Sequence, residues 1–224
     1  MSEETYNKAI RAYNKLLKIY PNDRDGNFNL GLLYCYNLEQ WDRAIERFEV
    51  LIQNNEQSSG PYVSQAVAYM AKGVYGEARG VLQNYHTRFP DEVWIHERIS
   101  RVYLCQRRLD LARRQVEKAL AIDSTSIYPS LIGDIYNYRG DVIRAENEYQ
   151  KILKRKEPAS QYYGRFRLAA LYLSQRQFER SKEQLKQTIA LAEKVRDTDQ
   201  RISSHSYLAQ LHFASGNPKK ALEE

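Results

Sequence analysis

One pattern of aromatic, small and apolar positions recurs along the chain. In its clearest copy the aromatic residue Tyr103 is followed nine places later by the small residue Ala112, then by apolar Val116 and small Ala119. Apolar residues three and four positions apart lie on one face of a helix. The stretch therefore predicts the end of one helix, a short turn and the start of a second helix.

The interval between copies is nearly constant. The key aromatic residues are separated by 35, 34, 33 and 36 residues and are Tyr34, Tyr69, Tyr103, Tyr136 and Tyr172. Small residues recur at similar spacing, at Ala9, Ala44, Ala78, Ala112, Ala145, Ser181 and Ala221. A period of about 34 residues is typical of stacked helix pairs, none of which can bury its apolar face alone. We therefore predict an all-α array with one continuous core.

Proline and glycine divide this array into units. Pro21 and Pro90 cannot continue a helix, and Gly73 and Gly140 suit the turns between paired helices. We predict one array over 1–224, with an unpaired helix, five complete units and a truncated unit at 3–21, 24–57, 59–91, 93–125, 126–158, 162–200 and 202–224. Since the pattern begins and ends within a unit, we expect the chain to be a piece of a longer protein.

Small residues also set how closely the paired helices can approach. Gly31 has no side chain, so a neighbouring helix can come close to it, and Ala44 serves the same purpose on the second helix of that pair. Bulky residues are expected to fill the space opposite. This alternation of bulky and small residues indicates a tightly packed core rather than a loose bundle.

The chain is basic, with a net charge of +6 and a pI near 9.1. The excess of basic residues is uneven. There are seven basic and three acidic residues between Glu97 and Lys118, and ten basic and three acidic residues between Lys151 and Lys186. Such patches can meet phosphates or an acidic partner. The simpler interpretation, which we favour for most of these residues, is that they are the solvated faces of helices.

No targeting or membrane signal is visible in the sequence. No apolar run reaches the roughly 18 residues that a membrane span needs, and the first residues lack the basic start and apolar core of a secretory signal. Cys35 and Cys105 lie 70 residues apart without a partner motif. This spacing favours two buried thiols in a reducing compartment, and we expect a cytoplasmic protein.

Residues suited to catalysis or metal binding form no recognisable motif. The four histidines, His86, His96, His205 and His212, do not have metal-ligand spacing. The chain has no glycine-rich phosphate loop and no nucleophile motif. We predict no metal, no cofactor and no enzymatic activity.

These residues resemble the tetratricopeptide repeat (TPR) family over nearly the whole chain. The first helix of that pattern has an apolar residue, then Gly or Ala, then Tyr, as in Leu30-Gly31…Tyr34, Ile132-Gly133…Tyr136 and Leu168-Ala169…Tyr172. Ala112…Val116…Ala119 matches the second helix, and Pro21 and Pro90 match the end. The departures, which we expect to loosen individual pairs, are Gln65-Ala66, Ile99-Ser100, Ser181, Glu56 and Ser124.

The resemblance implies a right-handed superhelix of antiparallel helix pairs without catalytic activity. Its first helices would line a concave groove that binds a peptide or helix of another protein. The candidate partner-binding residues are Phe28, Leu32, Tyr36, Val63, Val67, Met70, Glu97, Arg98, Arg101, Ser130, Asp134, Asn137, Phe166 and Arg167. The N-terminal part of the groove would be apolar and aromatic. Arg98, Arg101 and Arg167 would favour an acidic segment of the partner. The lysine and asparagine set that binds chaperone C-termini in some relatives is absent here.

Two alternatives remain open. The phrases AIRAYNKLLKIYPND and NLGLLY resemble helical regions fused to bacterial kinase or cyclase domains, where the array would relay a signal. A single-stranded RNA-binding repeat is less favoured. A base code needs polar residues that recur at one helix position, and this sequence does not show that recurrence. Its candidate contacts would be Tyr162, Tyr163, Arg165, Phe166 and Arg167.

Overall fold

The computed structural model describes residues 3–123, 129–195, 198–221 and 223. These residues form thirteen helices and no strand. The helices are α1 (Glu3–Ile19), α2 (Arg24–Leu32), α3 (Trp41–Gln53), α4 (Ser59–Ala71), α5 (Tyr75–Arg88), α6 (Trp94–Cys105), α7 (Leu109–Ile122), α8 (Pro129–Tyr138), α9 (Val142–Leu153), α10 (Pro158–Ser174), α11 (Phe178–Val195), α12 (Thr198–Ala214) and α13 (Pro218–Ala221). The prediction of an all-α fold is confirmed.

The helices belong to two compact units, residues 1–115 and 116–224. Within unit 1, consecutive helices pack against each other from α1 to α6. Within unit 2, the same holds from α8 to α13. Consecutive packing is what the repeated pattern predicts, and it is confirmed in each unit. The single continuous array and its right-handed superhelix remain predictions.

Two helices begin earlier than the sequence indicates. α10 begins at Pro158, where we placed the end of a unit, and α12 begins at Thr198 rather than near residue 202. Proline lacks a backbone N–H and has φ fixed near the helical value, so a helix accepts it in the first turn. Pro158 therefore starts a helix instead of ending one.

The turns between paired helices share one backbone arrangement. After α4, the N–H of Gly73 donates to the carbonyl of Met70 at 3.0 Å, and the N–H of Val74 donates to the carbonyl of Tyr69 at 2.9 Å. The same two bonds close the turns at Arg107, Gly140, Arg176 and Gly216, and all five residues have positive φ. In each turn the bond that spans five residues ends on the carbonyl of the repeat's aromatic position.

The first pair departs from this arrangement because it has one extra residue. Ten positions separate Tyr34 from Ala44, whereas nine separate Tyr69 from Ala78. The insertion is accommodated by a π-helical turn, Leu33–Asn37, which continues α2. The carbonyl of Tyr34 consequently accepts from the N–H of Gln40, six residues away, at 2.9 Å. The π turn projects Tyr36 outward, with its side chain 56% exposed.

Ring-to-backbone contacts hold the paired helices close together. A Cβ added to Gly31 would lie 2.6 Å from Cε1 of Phe48, and one added to Gly133 would lie 2.4 Å from Cε1 of Tyr149. Both rings are almost fully buried. The predicted role of Gly31 as a close-approach position is confirmed, and Gly133 has the same role in unit 2.

Two serines that depart from the repeat pattern do not loosen their helix pairs. The hydroxyl of Ser100 on α6 donates to the carbonyl of Ala112 on α7 at 3.0 Å. The hydroxyl of Ser181 on α11 donates to the carbonyl of Ala169 on α10 at 2.8 Å. Both serines are fully buried. Each departure therefore adds a hydrogen bond between paired helices, and the expectation of loosening is wrong for them.

Glu56, which replaces a common proline, also strengthens its pair boundary. Its carboxylate accepts from Nε of Arg24 at 2.8 Å and from the backbone N–H of Ser58 at 2.9 Å. Arg24 also donates to the Ser58 hydroxyl at 3.2 Å, so the start of α2 is tied to the start of α4. Ser124, the other position where proline is common, lies outside the described residues.

The close approach at Gly31 predicts opposite effects for two glycine substitutions in unit 1. Gly31→Ala should lower the free energy of unfolding by about 1–2 kcal/mol, because the new methyl group collides with the buried ring of Phe48. Gly80→Ala, in the interior of α5, should raise it by about 0.5–1 kcal/mol, because nothing lies near the new Cβ and alanine favours helix. Urea denaturation followed by circular dichroism measures both. Equal effects of the two changes would contradict the packing argument.

The Glu56 clamp predicts a pH-dependent stability. Burial tends to raise the pKa of Glu56, but the hydrogen bonds from Ser58 and the charge of Arg24 outweigh it, and the pKa is lowered. A lowered pKa stabilises the folded state above the unfolded value of about 4.3. This contribution disappears as the pH falls through the folded pKa.

Glu56→Gln should therefore cost about 0.5–1 kcal/mol at pH 7 and almost nothing at pH 3. Urea denaturation at the two pH values measures the difference. Glu4→Gln is the control, since its ion pair with Lys8 is fully solvent-exposed on α1. A cost for Glu56→Gln that is the same at both pH values would argue against the ionic clamp.

Candidate protein-interaction surface

The predicted partner-binding residues of unit 1 lie on α2 with its π turn, on α4 and on α6. Five apolar members are partly buried: Phe28, Leu32, Val63, Val67 and Met70. Phe28, Leu32 and Val67 pack against a buried cluster that contains Leu30 and Phe48. These side chains therefore complete the core and leave only part of their surface for a partner.

A polar cluster brings together residues from three helices of unit 1. The side chains of Ser64 on α4 and Arg98 on α6 lie near enough to the phenol of Tyr36 to act on its pKa. Partial burial raises the pKa of Tyr36, and Ser64 and Arg98 offset that rise only in part. Tyr36 therefore remains a neutral hydroxyl at neutral pH. We call these three residues the Tyr36 cluster.

The charged residues beside the Tyr36 cluster differ in their availability. Glu97 and Arg101 form an ion pair on α6 at 2.9 Å, with only 16% and 30% of their side chains exposed. Arg98 is exposed and has no ion pair within the described part of the chain. Of the two predicted acid-selecting arginines of unit 1, Arg98 is therefore the one that is available to a partner.

In unit 2 the predicted residues Asp134 and Arg167 interact with each other. Asp134 is 7% exposed, pairs with Arg167 at 3.2 Å and accepts a hydrogen bond from the Tyr149 hydroxyl at 2.7 Å. Arg167 also donates to Tyr163 at 2.7 Å. Burial and the nearby Asp134 charge hold the pKa of Tyr149 far above its usual range, so its hydroxyl stays a donor. These predicted partner-binding residues are here part of an internal network that joins α8, α9 and α10.

The remaining predicted residues of unit 2 divide into buried and accessible positions. Ser130 is 2% exposed, whereas Asn137 is exposed. Phe166 is partly buried, and its ring stacks on Tyr162 at 6.0 Å and meets Tyr207 edge-on at 4.3 Å. The aromatic contacts of Phe166 therefore extend from α10 to α12.

Sequence reasoning missed two aromatic residues on α12. Tyr207 packs against Phe166, and Phe213 is 73% exposed. A signal for Phe213 existed: it follows Leu173 by 40 residues, the same step that separates Ser181 from Ala221. The repeat spacing thus places Phe213 at the position of the truncated unit that corresponds to Leu173.

Arginine stacking on the repeat aromatics was also missed. The guanidinium carbons of Arg43, Arg144 and Arg180 lie 5.5, 4.8 and 4.0 Å from the ring centroids of Tyr34, Tyr136 and Tyr172. Each of these arginines directly precedes the small residue of its repeat, so the pattern is visible in the sequence. Part of the basic excess is therefore used to cover tyrosine rings.

The arginine on the last of these rings also joins a hydrogen-bonded triad. Arg180 donates to Glu146 at 2.6 Å and to the Tyr172 hydroxyl at 2.8 Å, and Tyr172 donates to Glu146 at 2.8 Å. Burial, together with the hydrogen bond and charge of Glu146, raises the pKa of Tyr172 to about 12. The triad joins α9, α10 and α11.

Residues 25–58 match the family model described as tetratricopeptide repeat. This match covers the first helix pair with its close-approach glycine. Residues 25–58 are therefore similar to one tetratricopeptide repeat (TPR). The TPR family is typically non-catalytic. No curated protein matches the sequence significantly.

Solved structures with the same fold include a TPR protein and two complexes. A thermophilic TPR protein of Thermus thermophilus has 23% identity and a TM-score of 0.56, and the match covers 73% of this chain and 90% of that one. The APC/C hetero-tetramer Cut9–Hcn1 has 14% identity and a TM-score of 0.60, covering 97% and 46%. The human IFIT1 dimer with m7Gppp-AAAA has 13% identity and a TM-score of 0.55, covering 99% and 67%. At these identities the likeness concerns the fold alone.

The described residues also bear on other parts of the sequence analysis. No three side chains suited to a metal converge among them. No helix in the described ranges is long and apolar enough to cross a membrane. Cys35 is buried, as predicted, but Cys105 at the end of α6 is exposed. The expectation of two buried thiols is therefore wrong for Cys105, because the last turn of α6 leaves its side chain open to solvent.

The buried network of unit 2 predicts a structural cost for removing Asp134. Asp134→Ala should lower the free energy of unfolding by about 2–3 kcal/mol, since it leaves the Tyr149 hydroxyl buried without an acceptor and Arg167 without its carboxylate. Asn137→Ala, one turn further along α8 and exposed, should change it by less than about 0.5 kcal/mol. Urea denaturation of the full chain measures both. A neutral Asp134→Ala would instead favour a role for Asp134 in partner binding.

Proposed function

We propose that this protein is a non-catalytic scaffold that binds a segment of another protein on the first helices of unit 1. The observation that carries the proposal is the Tyr36 cluster. An insertion in the helix projects Tyr36 outward, and Ser64 and Arg98 from two other helices act on the pKa of its phenol. π-helical insertions are frequently found at functional sites. A phenol, a hydroxyl and an available guanidinium together suit a polar segment of a protein partner.

The binding mechanism combines apolar burial with selection by charge. The accessible parts of Val67 and Met70 would contribute roughly 25 cal/mol per Å² of apolar surface buried, before the cost of ordering the partner. Arg98 would donate a forked pair of hydrogen bonds to a carboxylate. The fitting partner is therefore an extended or helical segment with apolar residues beside an acidic one.

The residues that would contact RNA are engaged within the protein. Arg167 covers the Tyr163 ring at 5.0 Å and pairs with Asp134, so this ring face is closed to a base. Arg165 donates to Gln184 at 3.3 Å. The solved structures of similar fold include an IFIT1 dimer with m7Gppp-AAAA and a hetero-tetramer of Cut9 and Hcn1, so the fold itself is compatible with both kinds of partner. The side-chain contacts favour a protein.

The proposal also accommodates a role inside a longer signalling protein. In that case the bound segment would belong to a neighbouring domain, and the Tyr36 cluster would still be the contact. We place this function in a reducing compartment such as the cytoplasm, where Cys35 and Cys105 persist as free thiols.

A displayed peptide library provides a direct test. The native chain should enrich peptides that combine apolar residues with Asp or Glu, and a selected peptide should bind the double variant Tyr36→Ala/Arg98→Glu at least roughly tenfold more weakly by calorimetry. Arg114→Glu on α7 is the matched charge control, because Arg114 is exposed and lies on a second helix. Circular dichroism should show equal helicity for all three proteins.

Two outcomes would contradict the proposal. Equal loss of affinity in the Tyr36→Ala/Arg98→Glu variant and in the Arg114→Glu control would indicate a general charge effect. Preferential binding of single-stranded RNA, with an affinity that falls steeply between about 50 and 200 mM salt, would favour the nucleic-acid alternative.

A further inference from the structure

We propose that unit 1 carries a second binding site, centred on Tyr103, which takes a phosphate monoester on a segment of a protein partner. It is formed by Arg79 on α5, Tyr103 on α6 and Arg108 in the turn before α7. We call these residues the Tyr103 site. The proposal depends on the proposed function only in taking the partner to be a protein, and it uses none of the residues of the Tyr36 cluster.

Two guanidinium groups converge on the ring of Tyr103. The central carbon of Arg79 lies 5.7 Å from the ring centroid, and that of Arg108 lies 5.8 Å from it. The two arginines come from different helix pairs, so the packing of α5 against α6 assembles the site. Among the described residues, no other aromatic ring has two arginines over it.

These two arginines differ from the other arginines that lie over rings. Six of them have a polar side-chain partner, namely Arg24 with Glu56, Arg43 with Gln40, Arg88 with Tyr62, Arg144 with Asp141, Arg167 with Asp134 and Arg180 with Glu146. Within the described ranges, Arg79 and Arg108 make no hydrogen bond or ion pair, and the Tyr103 hydroxyl makes no hydrogen bond. Stacking therefore holds both cations in place and leaves their N–H groups available.

The chemistry of this donor set favours a phosphate over a carboxylate. One guanidinium fork satisfies the two oxygens of a carboxylate, whereas a phosphate monoester carries three acceptor oxygens and up to two negative charges. Two forks and a phenol hydroxyl match that larger group. The two like charges near one ring also repel each other, and a bound dianion relieves this repulsion.

The surroundings of the Tyr103 site keep it basic. Arg107 is exposed and adds a third guanidinium directly beside Arg108. Its φ is +56°, a left-handed conformation that the corresponding Gly73 and Gly140 adopt at lower cost. In the described ranges, the acids closest in sequence, Glu77 and Asp110, form no hydrogen bond or ion pair with Arg79 or Arg108.

The arrangement favours a phosphorylated protein segment over a nucleic acid. Proteins that bind single strands stack bases on open aromatic rings and follow the backbone with a track of cations. The Tyr103 ring already has two guanidinium groups over it, so it is a poorer platform for a base than an open ring. The site is also compact, which suits a single phosphate on a peptide side chain.

Arginine side-chain NMR on the full chain tests the site. The probe is N-acetyl-phosphoserine, titrated into uniformly ¹⁵N-labelled protein while the Nε–Hε signals of Arg79 and Arg108 are followed. We expect saturable shifts at both arginines, with a dissociation constant of about 1–10 mM for this small probe. N-acetyl-aspartate should bind at least roughly tenfold more weakly, since it has one less oxygen and a lower charge.

Matched variants separate binding from structure. The double variant Arg79→Gln/Arg108→Gln lacks both arginine signals, so binding is followed through the backbone amide signals around Tyr103. Their saturable shifts should disappear in this variant and remain unchanged in Arg114→Gln. Helicity by circular dichroism should be equal for all the proteins. The absence of phosphate-dependent shifts at Arg79 and Arg108 in the native chain would overturn the proposal, and so would unchanged binding in the double variant.

Two longer phosphorylated probes, a peptide and an RNA with the same number of residues, test whether the bound phosphate belongs to a protein or to a nucleic acid. A peptide with one phosphoserine should bind at least roughly tenfold more tightly than its unphosphorylated form and more tightly than a 5′-phosphorylated RNA. Tighter binding of the RNA would overturn the assignment to a protein. Since the Tyr36 cluster is tested with unphosphorylated peptides, failure at the Tyr103 site leaves that result intact, and the two failures are distinguishable.

Discussion

The structure depends on placing a bulky ring against a helix position that lacks a side chain. In unit 1 the ring of Phe48 lies where a Cβ of Gly31 would be, and in unit 2 Tyr149 occupies the same place against Gly133. This contact fixes the distance between the paired helices. The paired helices are joined by short turns, in which N–H groups after the first helix reach the carbonyls of the repeat aromatics.

The sequence was sufficient for the features that recur in every repeat. The spacing of Tyr34, Tyr69 and Tyr103 predicts the helix pairs, and Gly31 predicts the close approach, because both follow from packing rules that apply to each copy alike. The π turn also has a sequence origin, since the interval from Tyr34 to Ala44 is one residue longer than in the next copy. Its consequence, the outward projection of Tyr36, depends on where the helix absorbs the extra residue, and no periodicity encodes that position.

The candidate surface was less predictable, because it depends on which polar side chains already have partners. Asp134 and Arg167 occupy the register of partner-facing residues, yet in the structure they interact with Tyr149, Tyr163 and each other. A repeat pattern assigns a residue to a helix face, but it does not show that a carboxylate on one helix meets a guanidinium on the next pair. The same reason explains Ser100 and Ser181: as departures from a pattern they predict weakness, whereas their hydroxyl groups bond to carbonyls across the pair.

The basic charge of the chain is best understood through these partnerships. A count of arginines and lysines favours solvated helix faces, and residues such as Arg24, Arg144 and Arg180 are indeed more than half exposed. Their guanidinium groups also cover rings and pair with carboxylates. Such arginines are internally neutralised and contribute little to an external field. The charge that can act on a partner is then concentrated in the few arginines without a carboxylate, notably Arg98 beside Tyr36 and the pair over Tyr103. Selection of a partner would accordingly depend on the positions of these individual cations and much less on the net charge of +6.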